Sequence, residues 1–284
     1  MNELTHKQLS HLPSPKADVM ALLLADPDNS IASLAMEQLL TSPDCQQFIA
    51  DHQDTAEPLL RQRIHQLSII AENRRIMDTL IRRFERNTLD IWQCALMLDK
   101  VYDPRTTRKY LNTVTREFLR ELPDQGAPLT LAQLADFMKL RNFQVPPLPW
   151  FSIDFFLISS VILNGAGIPL LLCVIAQRLA RTRNLQCTIC LKDGKTCLVD
   201  DRNNVLDPLE NWALTHQASN DRLFRCSNQT MVRILLAQLQ SSSIIAWECF
   251  DAHAFSRLMQ RLDNVKGSTL PYPFGDFDAP AQPN

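Results

Sequence analysis

From Ile168 to Ala176 the chain is apolar on nearly every side, and Gln177-Arg178 ends the run. A helix that is hydrophobic all round has to be buried all round, so the fold must be built about this segment, read as a helix over 168–179. Pro169 falls in its first turn, where a missing N–H costs nothing. Asn164-Gly165-Ala166-Gly167 separates it from a second apolar helix over 153–163. The break and the flanking Gln-Arg make this a pair of buried helices and not a membrane span.

Directly after the central helix comes the one convincing β signal. Residues 185–191 and 196–199 flank Asp193-Gly194, the pattern of a hairpin with a two-residue turn, and 205–208 reads as a third short strand. Elsewhere helical periodicity dominates. Six glycines and 17 prolines in 284 residues leave little material for further hairpins and favour helices joined by proline-marked turns. Helices are expected near 17–24, 31–40, 45–50, 57–86, 89–98, 106–122 and 130–140, and again at 231–239, 244–250 and 253–262. Asp26-Pro27-Asp28-Asn29-Ser30 supplies an N-cap for the second of these.

Val145-Pro146-Pro147-Leu148-Pro149-Trp150 cannot continue a helix and is the best linker candidate. The organisation expected is therefore a helical domain over 1–145, its first 14 residues a loose arm; a core with C-terminal helices over 146–265; and an extended or disordered tail over 266–284. A formal net charge of -2 gives no basic surplus for nucleic acid. The polar N-terminus lacks a signal-peptide apolar core, so a cytoplasmic location is the expectation, with the eight cysteines as buried free thiols.

Three stretches carry a resemblance to a known family. Asp90–Leu98 is followed by Tyr102-Asp103-Pro104 and Tyr110-Leu111; Gly167-Ile168-Pro169-Leu170-Leu171-Leu172 opens the central helix; and Cys197-Leu198-Val199 precedes Val205-Leu206-Asp207-Pro208. In order and spacing, over roughly residues 60–212, they resemble the bacterial transglutaminase-like family of the SirB type. The resemblance implies an α+β, predominantly α fold, with a helical N-terminal part packed on a transglutaminase-like (papain-like) core that carries a short antiparallel sheet. It implies no metal and no organic cofactor.

The family's chemistry uses a cysteine in the first turn of the central helix, a histidine on the next strand and a carboxylate on the strand after it. Those positions fall here at Leu171, Thr196 and Asp207, and only Asp207 has the required chemistry. Cys173 lies about 200° round the helix from Leu171, and Cys197 points to the sheet face opposite Thr196. No histidine lies between His65 and His216, so a base would have to be His216 or His253. Cys187-x-x-Cys190 has a redox or metal spacing, but residues three apart on a strand face opposite sides. The arginine pairs at 74–75 and 82–83 are interspersed with acids and read as solvated helix faces. Asp200, Asp201 and Asp207 match no calcium loop.

The leading expectation is a non-catalytic protein-interaction or scaffold protein on a degenerate transglutaminase-like fold. Its partner would be another protein, with no nucleic acid and no membrane. Two alternatives stand beside it: a hydrolase or acyl transferase using Cys173 or Cys197 with a remote histidine, and a helical-repeat adaptor in which the hairpin is incidental.

Overall fold

The computed structural model describes residues 15–102, 108–121, 129–148, 150, 152–216 and 223–263. The expected arm over 1–14, the turn at 103–105 and the tail over 266–284 lie outside the described residues. Two compact units divide the chain, Met1–Ile76 and Met77–Asn284.

The first unit holds α1 (Pro15–Leu24), α2 (Asn29–Thr41), α3 (Cys45–His52) and the first part of α4 (Pro58–Glu85). Asp28 caps α2, its carboxylate accepting the Ser30 N–H at 2.8 Å, as the Asp-Pro-Asp-Asn-Ser run suggests. Leu24, Ala35, Leu39, Phe48, Ile64 and Leu67 form the centre of its own core.

The second unit takes the rest of α4, then α5 (Ile91–Tyr102), α6 (Arg108–Arg120), α7 (Leu131–Leu140), α8 (Ile158–Asn164), α9 (Pro169–Thr182), α10 (Asn228–Ile245) and α11 (Cys249–Asp263). Among the described residues it also holds one antiparallel sheet: β1 (Cys187–Lys192), β2 (Lys195–Asp200), β3 (Asn204–Asp207), β4 (Ala213–His216) and β5 (Leu223–Arg225), in the order β4-β3-β2-β1-β5. The fold is therefore α+β and mainly α.

Helix α9 is the centre the sequence demands. Its residues Leu170 to Ala176 are buried, and it packs against β1 and β2. Asp193 and Gly194 both have positive φ, +50° and +79°, the type I′ geometry that matches strand twist. Ile189, Leu198 and Leu206 point into the main core with α9, whereas Cys190, Cys197, Val199 and Val205 form a separate small cluster on the other face.

The proline-rich segment does not separate two cores. Leu98, Phe118, Leu134 and Met138, before it, share one core with α9 and the sheet, after it. The segment is tied down at both ends. Gln144 exchanges backbone hydrogen bonds with Gly165 and Gly167, at 2.9 and 3.1 Å, and the Ser242 hydroxyl donates to the Trp150 carbonyl at 2.7 Å. Gly165 is required here: its φ is +77°, and a Cβ would meet the Asn142 carbonyl oxygen at 2.7 Å. The compact units thus divide at Ile76–Met77 and not at the prolines. Strands β4 and β5 are additions to the expected three, and α10 runs on to Ile245, so the break falls at 246–248, inside the helix expected over 244–250.

Candidate functional site

The candidate site is the contact between the first turn of α9 and the sheet. Leu171, the third residue of α9, is fully buried in the main core. Thr196 is buried on β2, on the Leu198 side by strand alternation. Asp207 ends β3, and its Oδ1 accepts the Leu209 N–H at 2.8 Å, capping the short turn Pro208–Glu210. The β2–β3 register pairs Leu198 with Leu206, and one rung further it brings Asp207 opposite Cys197, not Thr196. Strand alternation therefore sends the Thr196 and Asp207 side chains to opposite faces of the sheet.

The two candidate thiols lie in different places. Cys173 is fully buried within the main core, and Cys197 is fully buried in the small cluster on the far face. Burial pushes the Cys173 thiol well above its ordinary range, and the nearby Cys197 and Asp207 groups add to this. Burial likewise pushes Cys197 up to about 12, with Cys190 and Asp207 contributing. Neither supplies appreciable thiolate near neutral pH. As expected from strand alternation, Cys187 packs toward the main core while Cys190 sits in the far cluster.

Of the two remote histidines, His216 is not brought to Asp207. His216 is exposed on the edge strand β4, its Nδ1 3.2 Å from the Asn204 Oδ1. It stands three rungs from the Asp207–Ala213 pair, about 10 Å along the strand. His253 belongs to α11, and its side chain lies outside the described residues. Asp200 is fully engaged in the β2–β3 turn, accepting from the Arg202 and Asn204 N–H groups and the Asn204 side chain at 2.8–2.9 Å. Among the described residues no group of three or more His, Cys, Asp or Glu could hold a metal ion. No helix among them is long and apolar enough to cross a membrane.

Two further residues make buried hydrogen bonds in this unit, and sequence reasoning did not single out either in its observed role. Asp99, 2% exposed, accepts the Ile158 and Ser159 N–H groups at 2.8 and 2.9 Å and so caps α8 from α5. Burial raises its carboxyl to about 6, against the hydrogen bonds that pull it down. Its signal was spacing: Asp99 follows Ile91 and Ala95 at four-residue steps on the buried stripe of α5. Trp212 is fully buried at positive φ, and its indole N–H donates to the Phe143 carbonyl at 2.6 Å.

In the first unit a cleft of about 630 Å³ opens between α3 and α4, lined among others by Ile49, Gln53, Arg61, Gln62 and His65. Comparison of the chain with protein-family models, curated proteins and solved structures gave no match.

Proposed function

We propose that this chain is a non-catalytic interaction or scaffold protein, built on a transglutaminase-like core that has lost its catalytic cysteine and histidine. The observation that carries the reading is the burial of both candidate thiols, each held in its protonated form by that burial. A cysteine nucleophile needs a thiolate and a path for substrate, and these two residues have neither. The family assignment is supported by a buried helix opened by Gly-Ile-Pro, lying on the first two strands of an antiparallel sheet whose third strand ends in Asp-Pro. Asp207 serves as a structural cap, on the sheet face opposite Thr196. The partner is another protein, no cofactor takes part, and the protein works in the cytoplasm.

Co-purification from the source cells tests this, using the full chain and its Cys173→Ala/Cys197→Ala variant. The reading expects the same partner, non-covalently bound and in the same amount, with both forms. Adducts linked through a thioester, and lost in the variant, would establish the hydrolase or acyl-transferase alternative instead. The helical-adaptor alternative is favoured by one observation, the separate core and cleft of the first unit. It requires residues 1–145 to retain the partner alone.

A further inference from the structure

One rung of the sheet gathers chemistry that the proposed function does not use. Cys190 on β1 lies directly opposite Cys197 on β2, and on its other side Cys190 is paired with Arg225 on β5. One rung beyond the Leu198–Leu206 pair, Asp207 faces Cys197. Across four strands the rung reads Arg225, Cys190, Cys197, Asp207, on the sheet face turned away from α9.

The type I′ turn fixes the geometry of this rung. Lys192 and Lys195 flank the turn as a hydrogen-bonded pair, so two rungs on Cys190 and Cys197 are again of that kind. Their Cα atoms then lie about 5.5 Å apart, inside the about 4.4–6.8 Å range of disulfides. The Cys197 Sγ stands 3.6 Å from the Cys190 carbonyl oxygen, already leaning across the strand gap. On the other side the Cys226 N–H donates to the Ile189 carbonyl, which leaves Cys190 and Arg225 as the closer, non-hydrogen-bonded kind of pair. Both cysteines are free thiols.

We propose that Cys190 and Cys197 form a dithiol that a hydroperoxide converts into a cross-strand disulfide. Cys190 reacts first. Burial raises its thiol, but the Arg225 cation beside it works in the opposite direction, whereas at Cys197 the Cys190 and Asp207 groups oppose the thiolate more than Lys192 favours it. The Cys190 sulfur attacks the peroxide, the O–O bond breaks, and sulfenic acid forms while the thiol proton leaves with the released alcohol or water. The Cys197 sulfur then attacks the sulfenyl sulfur, forming the S–S bond and releasing a second water with its own proton. Two thiols are oxidised and one hydroperoxide is reduced. Access comes from opening of β5, a three-residue edge strand paired with β1. The reaction is a slow, stoichiometric modification, which needs neither a catalytic histidine nor a substrate cleft. In a hydrogen-bonded rung the Cβ atoms start about 5.5 Å apart and must draw in by about 1–2 Å, so the bond is strained and readily reduced.

The test is oxidation of the full chain with hydrogen peroxide under native conditions, alkylation of remaining thiols, and non-reducing peptide mapping. A Cys190–Cys197 disulfide that dithiothreitol reverses is expected as the dominant product. In the Cys197→Ser variant dimedone should trap sulfenic acid at Cys190, the Arg225→Gln variant should form the disulfide several-fold more slowly, and Cys173→Ser should form it unchanged. A different dominant pairing, or no Cys190–Cys197 bond at doses that oxidise exposed methionines, overturns the proposal. So does a disulfide that forms only after denaturation.

Discussion

Replacing Asp99 by asparagine should remove one part of the protein's pH dependence. In the folded chain the Asp99 carboxyl titrates at about 6, raised by burial from 3.8. Between those values the folded state holds a proton that the unfolded state has released. Unfolding free energy from this group therefore falls as pH rises through the window and is constant above it. At about 1.4 kcal/mol per pH unit the loss is about 3 kcal/mol. An asparagine amide at this position would keep one acceptor for the Ile158 or Ser159 N–H and leave the other unsatisfied, at a cost of about 1–3 kcal/mol. Asp99→Asn should thus become less destabilising, relative to wild type, by about 2–3 kcal/mol between pH 4 and pH 7. All four tryptophans, at 92, 150, 212 and 247, lie in the second unit, so urea unfolding followed by their fluorescence reports on the unit that contains Asp99. The difference between wild type and variant removes the other carboxylates from the comparison. A difference that stays flat from pH 4 to 7, or grows with pH, would refute the reasoning.

Other substitutions test the local geometry. Trp247 is 86% exposed at a φ of +59°, a left-handed position that suits glycine, so Trp247→Gly should raise stability by about 1 kcal/mol in the same urea titration. Gly165→Ala should cost more than about 1 kcal/mol, because it combines a positive φ with a Cβ placed 2.7 Å from the Asn142 carbonyl oxygen. Asp207→Ala should lower stability by about 1 kcal/mol through loss of the cap on the Leu209 N–H; a thermal melt unchanged from wild type would contradict that role.

The parts of the fold legible in the sequence were those where one local rule acts alone. The α9 segment had to be central because no face of it could meet water, and Asp193-Gly194 specified its turn through two positive φ values. Strands β4 and β5 gave no such signal. They are three or four residues long, at sheet edges, and too exposed to alternate visibly. The division of the chain was hidden for a different reason. Prolines end helices, but whether the segment between two helices is free depends on long-range bonds, here from Gln144 to the Gly165–Gly167 backbone and from Ser242 to Trp150. At the candidate site, alternation separated Cys197 from Thr196 in the sequence and in the fold. The cross-strand pairing of Cys190 with Cys197 follows from the two-residue Asp193-Gly194 turn that the sequence already specifies.

The central claim is that the core holds no working cysteine nucleophile, and alkylation kinetics test it most directly. Iodoacetamide at pH 7.5, followed by peptide mapping, gives the rates at Cys173 and Cys197 in the native chain and in urea. For Cys197 a thiol at about 12 instead of 9.0 means about a thousandfold less thiolate, before access is considered. The account predicts native rates at both residues slower than in urea by at least about a thousandfold. A native rate at either cysteine that exceeds its unfolded rate, and falls in His216→Ala or His253→Ala, would contradict it.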